Sequence, residues 1–388
     1  MDFQLNDEQL ALQEGIRDLM KNFPDSYWRE RDRTGTFPEE FFQAMAEHGY
    51  LGIAMPEEYG GAGKGITEAA LILEEVAAAG AGMSGASAVH INIFGVNPLV
   101  KHGTPEQKRK YLPKIIRGEL KVAFGVTEPD AGLETPRIKT FAERRNGRWV
   151  INGTKVWTTT AQVASKVLLI ARTTPYEDVE KKTEGMTLFF ADLDRRYVDI
   201  HEIDKLGRAA VDSNILHISG LEVDDSDVVG EVGKGFYHLL DGLNPERILI
   251  AAEAIGTGKA ALRKAIAYAR ERVVFGRPIG QNQGIQFPLA DCYADLELAE
   301  LMMLKAAWKY DSGLPCGAEA NMAKLKGAEA GFKAADQALR TFGGYGYAKD
   351  YHVERLWREV QLCRIAPVTR ELILAYLGHQ VLGLPRSY

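Results

Sequence analysis

The chain has 388 residues and carries 47 Lys and Arg against 53 Asp and Glu, a formal net charge of −6. Because charges of both signs are mixed and the balance is acidic, the chain lacks the basic surface that nucleic-acid binding requires. Its length predicts two or three domains, each able to bury a core without disulfides or metal ions. The three cysteines are widely spaced and the eight histidines show no paired-ligand spacing, so we predict a reducing compartment and no metal site.

The N-terminal third, residues 1–122, is predicted to be helical. Asn6 and Gln9 have the spacing of a capping box ahead of an amphipathic helix, and Thr104, followed by Pro and then Gln107, has the same signature. The first residues contain neither a basic n-region nor a long apolar run. We therefore expect no signal peptide, no membrane span and a cytoplasmic location.

Residues 123–234 change to the period of β-strands. Asn146-Gly147 and Asn152-Gly153 are each typical of a two-residue hairpin, on either side of the apolar triplet WVI. Three further strands are predicted at KVLLIAR (166–172), MTLFFADL (186–193) and NILHI (214–218). These elements predict a compact β-barrel or β-sandwich domain.

Trp157 and Thr159 stand near the end of the strand pattern that begins at WVI. A flat aromatic ring and hydroxyl groups on one sheet face would make a wall for a planar heterocycle such as a flavin. The same residues are also ordinary strand formers, so the pattern alone leaves both interpretations open.

Residues 235–388 return to helical periodicity, with segments rich in Ala, Leu, Glu and Lys at 285–311 and 317–342, which predicts an antiparallel helix bundle. Neither Gly-rich segment fits a nucleotide-binding loop. GGAGKG (60–65) lacks the first Gly and the final Ser or Thr of a phosphate loop, and GGYG (343–346) is not GxGxxG.

Seven segments, spread over nearly the whole chain, form an ordered series: PEEYGGAG (56–63), GTPEQKRKYLP (103–113), VTEPDAG (126–132), INGTKVWTT (151–159), GLNPERILIAA (242–252), RVVFGRPIGQNQ (272–283) and FGGYGY (342–347). Together and in this order they resemble the acyl-CoA dehydrogenase family. The resemblance implies an α+β protein of three domains: an N-terminal helical domain (1–122), a middle β domain (123–234) and a C-terminal four-helix bundle (235–388).

The resemblance implies FAD as the cofactor. It implies that the residues bordering the flavin ring are Phe124, Val126, Thr127, Trp157 and Thr159.

A second group of matched positions is implied to bind the FAD of a neighbouring subunit, namely Arg272, Phe275 and Gln283. A guanidinium suits a pyrophosphate, and the pair Gly343-Gly344 lets backbone approach one closely. Without its surrounding segment, Arg272 would be interpreted as a surface salt-bridge residue.

Two positions depart from the commoner family pattern. Leu133 stands where a Ser is expected after EPDAG, which removes a hydroxyl that would touch the flavin phosphates or the substrate. Arg340 stands where a Gln is expected, and its charge could replace some of that binding. In the C-terminal stretch REVQLCRIAPVT (358–369), which ends at the cofactor position Thr369, Pro367 stands where many family members keep a catalytic Glu.

Another branch of the family, similar to isovaleryl-CoA and long-chain acyl-CoA dehydrogenases, carries its base within a sequence like GLxxERL. Glu246 of GLNPERI matches that base, and Asn244 and Arg247 match positions that line the acyl-CoA site. A desolvated carboxylate can remove an α proton. Asn-Pro-Glu is also typical of a helix start, unless Pro245 instead kinks a helix that began earlier.

The function implied by the resemblance is α,β-desaturation of an acyl-CoA thioester to a 2,3-enoyl-CoA, with electrons passed to an electron-transfer flavoprotein. The expected assembly is a homotetramer. A base on the bundle helix could leave room for branched or ring-bearing acyl groups. The alternatives are a flavin-dependent monooxygenase or oxidase on the same fold, and a non-catalytic flavin-binding relative.

Overall fold

A computed structural model describes residues 4–386. The N-terminal helices are α1 (Asp7–Met20), α2 (Asp25–Thr34), α3 (Glu39–Glu47), α4 (Ile66–Val76), α5 (Gly82–His90), α6 (Asn97–His102) and α7 (Pro105–Ile116). The predicted capping boxes of α1 and α7 are present, because in each the first side chain accepts a hydrogen bond from the third backbone N–H and the third side chain returns one. Both helices therefore begin where their local sequence indicates.

Two π-helical turns, Ala77–Ala81 and Ile91–Gly95, connect α4, α5 and α6. The resulting run, Ile66–His102, is long and apolar enough to cross a membrane by length and composition, yet 89% of its most apolar window is buried inside the molecule. The chain thus has a long apolar run here, although its first residues have none. Because this run is buried inside the molecule, it behaves as a core helix. The π-turn Ile91–Gly95 directly follows His90.

The middle of the chain forms an eight-stranded sheet with the order β6-β7-β3-β2-β4-β5-β8, and β1 pairs with β4 in parallel. The strands are β1 (Val122–Gly125), β2 (Phe141–Arg145), β3 (Arg148–Thr159), β4 (Lys166–Arg172), β5 (Met186–Asp192), β6 (Val198–Glu202), β7 (Ser213–Val223) and β8 (Val228–Val229). Apolar residues of β3 and β7 share one buried cluster with residues of β4 and β5. The sheet therefore curves around its own core, as the β-barrel or sandwich prediction required.

One predicted hairpin is present and the other prediction is wrong. Asn146 (φ 50°) and Gly147 (φ 82°) connect β2 to β3 in the conformation that two-residue hairpins favour. Asn152-Gly153 is no turn, because β3 continues through it. Gly153 lies at a register shift against β7, and a Cβ there would come within 2.3 Å of the Thr140 side chain. Glycine is required there by close packing.

The C-terminal part consists of α8 (Gly235–Leu240), α9 (Leu243–Glu271), α10 (Gln283–Asp311), α11 (Gly317–Phe342), α12 (Val353–Ile365) and α13 (Arg370–Tyr376), with a two-stranded ribbon of β9 (Val273–Val274) and β10 (Arg277–Pro278). Helices α9 to α12 pack together as the predicted four-helix bundle. Helices α4 and α5 pack on α9, and the π-turn after α5 packs on β1. Helix α5 therefore connects the bundle with the sheet.

Candidate active site

Glu246 lies in the first turn of α9. Helix α8 ends at Leu240, and the Glu246 backbone N–H donates to the Gly242 carbonyl oxygen at 3.0 Å. Asn244 is therefore not the helix cap, and the chain turns before Pro245 rather than at it. The predicted helix start at Asn244 and the predicted kink at Pro245 were therefore both wrong. Helix α9 begins at Leu243, and Gly242 before it provides no side-chain cap.

Glu246 belongs to a hydrogen-bonded chain of three side chains. The His90 Nε2 lies 2.8 Å from Glu246 Oε2, and the His90 Nδ1 lies 2.5 Å from Glu253 Oε1. Glu246 and Glu253 are seven residues apart, so they lie on one face of α9, two turns from each other. The Glu246 side chain keeps 28% of its surface exposed, whereas those of His90 and Glu253 keep 6% and 0%. Only the Glu246 end of the chain is open to a ligand.

Burial opposes a charge on His90, but the Glu246 and Glu253 carboxylates outweigh it and raise the pKa of His90 well above its ordinary value. An imidazolium between two carboxylates follows, with each ring nitrogen donating to one of them.

Arg208 ties α5 to the sheet beside this chain of side chains. Its Nη1 donates to Ser87 Oγ at 2.9 Å and its Nη2 donates to Ser213 Oγ at 3.3 Å. Ser87 lies one helical turn before His90, and Ser213 is the cross-strand partner of Thr159. The predicted flavin wall and the predicted base are thus connected through contacts within one chain.

The loop that carries Val126 and Thr127 is hydrogen-bonded to Lys155 and Val156 of β3. Lys155 Nζ donates to the Val126 carbonyl oxygen at 3.0 Å and to Glu128 Oε1 at 2.8 Å, and the Val156 N–H donates to the Thr127 carbonyl oxygen at 2.9 Å. Burial lowers the pKa of Lys155 to about 8, although Glu128 opposes that decrease. This buried ion pair fixes the spacing between the loop and the strand.

Trp157 stands out from β3 in an uncommon conformation. Its φ is 61°, it lies at a register shift against β7, and 56% of its surface is exposed. A positive φ is strained for a bulky residue, and a bulge next to a site often re-aims a side chain. The structure therefore presents an open aromatic face on the strand that also carries the half-buried Thr159. Phe124 of β1 packs, together with Val126 and Ile91, against one buried apolar cluster.

Three other matched cofactor positions are Leu133, Arg340 and Thr369. Leu133 is exposed and lies in no helix or strand. Arg340 forms an exposed ion pair with Asp336, 3.0 Å apart, on α11. Thr369 caps α13 by accepting a hydrogen bond from the Leu372 N–H at 3.4 Å. These contacts account for Arg340 and Thr369 within the fold, and their roles toward a cofactor stay predictions.

Arg272, Gly343 and Gly344 line one open cavity of about 460 Å³, whereas Gln283 is exposed at the start of α10. The Arg272 guanidinium lies 5.8 Å from the Tyr345 ring centre. A Cβ at either glycine would meet nothing within 4 Å, so the space above them is free. Phe275 is 100% exposed at the tip of the β9-β10 ribbon with φ 54°. The structure thus groups a cation with a bare Gly pair, which suits a phosphate-bearing ligand.

Asn244 and Arg247 lie on one side of α9. Asn244 lines a second cavity of about 810 Å³, together with Ile93, Phe94 and Leu240. Arg247 Nη1 donates to Asn244 Oδ1 and to the Leu243 carbonyl oxygen, both at 3.2 Å, while its buried Nε has no partner among residues 4–386. Burial lowers the pKa of Arg247 against the opposing effects of Tyr376 and Glu246. A buried donor without a partner indicates space for a ligand acceptor.

The sequence patterns did not single out His90, Glu253, Arg208 or the Lys155–Glu128 pair. One signal was present: Glu253 follows Glu246 by seven residues within an otherwise apolar helix face. A second charge on a buried face requires a partner. The identity of that partner, 163 residues away, is visible only in the structure.

Comparison with known proteins assigns the three parts of the chain to models of one family. The acyl-CoA dehydrogenase N-terminal domain matches residues 6–119, the middle domain matches 123–221, and the C-terminal domain matches 233–382. Acyl-CoA dehydrogenase fadE12 of Mycobacterium bovis is 37% identical over 391 residues, covering 99% of this chain and 98% of that protein. A 3-(aryl)acrylate reductase of Clostridium sporogenes is 37% identical over 362 residues, covering 92% and 95%.

Solved structures agree with this assignment. Butyryl-CoA dehydrogenase from Megasphaera elsdenii superimposes with a TM-score of 0.93 at 30% identity, over 98% of this chain and all of that one. PigA, solved as its FAD complex, superimposes with a TM-score of 0.92 at 25% identity, over 99% of this chain and all of that one.

Proposed function

This chain belongs to the acyl-CoA dehydrogenase family and is an FAD-dependent oxidoreductase, and from that premise we propose that it desaturates an acyl-CoA thioester to the 2,3-enoyl-CoA with Glu246 as the base. The observation that carries the proposal is the half-open carboxylate of Glu246, hydrogen-bonded through one oxygen to a buried imidazolium. Pro367, at the commoner position of the base, offers no carboxylate.

The residues present fit FAD. Trp157 offers an exposed ring on a strand fixed from below by the Lys155–Glu128 ion pair, and Arg272 offers a cation beside two glycines with free space above them. Phe124, Val126, Thr127 and Thr159 would border the ring. When bound, FAD supplies the two-electron acceptor that takes a hydride from the β carbon.

The protein's own part is to remove the α proton. The Cα–H bond breaks, an O–H bond forms on the Glu246 oxygen that His90 does not occupy, and the electron pair remains on the substrate to form the new double bond. Arg247 and Asn244 would contact the CoA thioester, because the buried Arg247 Nε needs an acceptor. Leu133 would meet the substrate or the flavin phosphates without a hydroxyl.

We further propose a ring-bearing or branched acyl group, a homotetramer and an electron-transfer flavoprotein as acceptor, in the cytoplasm. Support for the acyl group comes from the 3-(aryl)acrylate reductase among the relatives. Support for the assembly comes from the exposure of Arg272 and from Phe275, which is fully exposed although its φ of 54° is strained. The three cysteines are free thiols, which agrees with a reducing compartment.

The test mixes the purified flavoprotein anaerobically with straight-chain, branched and arylpropionyl-CoA thioesters, and follows the loss of flavin absorbance. At least one thioester is expected to bleach the flavin in a single turnover, with slow reoxidation when air is admitted. Fast reoxidation by oxygen would favour the oxidase or monooxygenase alternative. A flavin that no thioester reduces would favour the non-catalytic one.

A further inference from the structure

The His90 imidazole joins α5 to two carboxylates on α9, those of Glu246 and Glu253. On the basis of the proposed function, we propose that His90, anchored by Glu253, is a positioning residue that places a positive charge beside the Glu246 carboxylate and keeps it aimed at the substrate. The two ring nitrogens of His90 make hydrogen bonds of 2.8 Å to Glu246 and 2.5 Å to Glu253 from opposite sides of the ring.

The arrangement leaves Glu246 one free oxygen. His90 occupies Oε2, and no hydrogen bond to the other oxygen is recorded among residues 4–386. Rotation of the carboxylate is restricted because its partner ring cannot turn without losing Glu253. A carboxylate held at one oxygen presents the second in a defined direction, which is the requirement for a base that must act at a particular Cα–H.

Glu253 determines the orientation and charge of the ring. Its side chain is fully buried, so it cannot reach a substrate, and its Oε2 has no hydrogen-bond partner among the described residues. A buried carboxylate with one unsatisfied oxygen is costly unless a cation is near. The imidazolium of His90 is that cation. The Arg208 guanidinium is a second positive charge that interacts with the Glu253 carboxylate.

Other polar and charged groups around α5 make their hydrogen bonds with residues other than His90. On α12, Glu359 accepts from Ser84 Oγ at 2.6 Å and pairs with Arg355 at 3.2 Å. From the loop before β7, Arg208 bonds Ser87 and Ser213, and Asp212 lies among the charges that act on it. Cys363 of α12 contacts Met83. None of these side chains is hydrogen-bonded to His90, so Glu246 and Glu253 set its protonation.

The inference differs from a packing role in its consequence for pH. An imidazolium within hydrogen-bond distance favours the ionised form of its neighbouring carboxylate. Loss of that cation is therefore expected to move the acid limb of the flavin-reduction rate to higher pH. A residue that merely fills space would, when replaced, lower the rate by the same factor at every pH.

The first experiment measures the charge of His90 directly in the substrate-free flavoprotein. Histidines are labelled with ¹⁵N, and the His90 signals are assigned by their absence in His90→Gln. In the wild type, both ring nitrogens of His90 are expected to be protonated from pH 6 to pH 8. In the Glu253→Gln variant, the His90 signals are expected to titrate at lower pH than in the wild type. A neutral ring at pH 7 in the wild type would overturn the inference.

The second experiment measures the single-turnover rate of flavin reduction against pH for the wild type, His90→Gln and Glu253→Gln. The acid limb is expected to move to higher pH by about one unit or more in His90→Gln, and in the same direction in Glu253→Gln. The control is Glu359→Gln, which also removes a buried carboxylate beside α5 and is expected to leave the acid limb in place.

The two experiments separate failure of this inference from failure of the proposed function. If the Glu253→Gln variant still reduces its flavin and the acid limb of its rate stays at the wild-type pH, the positioning role is overturned. A charged His90 in a protein whose flavin no acyl-CoA reduces would overturn the desaturation reaction, and with it the role of Glu246 as base.

Discussion

The interior cluster (His90, Glu246 and Glu253) and the exposed rim (Trp157, Arg272, Phe275 and Gly343) are built in opposite ways. In the cluster, the His90 ring of one helix holds one oxygen of Glu246 and one of Glu253 on another helix, and burial makes those contacts strong. The rim residues have large exposed surfaces, and two bulky members keep a positive φ.

The cluster and the rim therefore differ in what stabilises their geometry. The cluster is complete within one chain, so its geometry exists before any ligand arrives. The rim has few contacts of its own, so its strain and exposure become useful only when cofactor or a second subunit covers it. Replacements in the cluster should therefore change chemistry, and replacements in the rim should change binding.

The largest effect is expected for Glu246→Gln. The variant should retain FAD and bind acyl-CoA, yet reduce its flavin about 10²-fold more slowly or worse, because an amide cannot accept the α proton. Stopped-flow reduction under anaerobic conditions measures it. A rate within a few-fold of wild type would return Glu246 to a structural role in the first turn of α9.

The buried ion pair of Lys155 and Glu128 allows a test of stability rather than of binding. Glu128→Gln should destabilise the protein by roughly 3 kcal/mol, because Lys155 is left in the interior without its counter-charge. Denaturant unfolding measures the loss. Adding Lys155→Met should recover part of it by removing the unpaired charge. If Glu128→Gln unfolds at the wild-type midpoint, the pair does not hold the loop to β3.

Arg272→Ala tests the rim in the opposite sense. Because Arg272 is exposed, the free energy of unfolding without cofactor should hardly change, while FAD affinity should fall about 10-fold or more, the range for a charged hydrogen bond. Equilibrium titration of the apoprotein measures the affinity, and sedimentation measures the assembly. Arg270→Ala, an equal charge change on α9 outside the cavity, is the control and should bind FAD normally.

The smallest effect is expected for Trp157→Asn. Asn tolerates a positive φ and the Trp ring is exposed, so the apoprotein should become more stable by about 0.5 to 1 kcal/mol. FAD affinity should fall because the ring wall is lost. Trp157→Phe keeps a ring and the strain, and should therefore resemble wild type in both measurements. A less stable Trp157→Asn would show that the ring contributes to folding.

Local signals in the sequence predicted most of the fold. The capping boxes at Asn6 and Thr104, the helix at 317–342 and the strand at 166–172 were predicted at the positions observed. The caps and the helix depend on hydrogen bonds between residues three or four apart, and the strand is marked by a continuous apolar run. Seven segments in family order further indicated FAD, three domains and Glu246 as the matched base, whose role stays a prediction.

Tertiary structure alone decided how those elements meet. Asn152-Gly153 has a hairpin sequence, yet it lies within β3, since contact with Thr140 outweighs the local preference for a turn. His90 gave no signal in an apolar helix, because its function depends on carboxylates 156 and 163 residues away. Sequence patterns report the chain's neighbours along the backbone, whereas a buried charge is defined by the partners that packing brings to it.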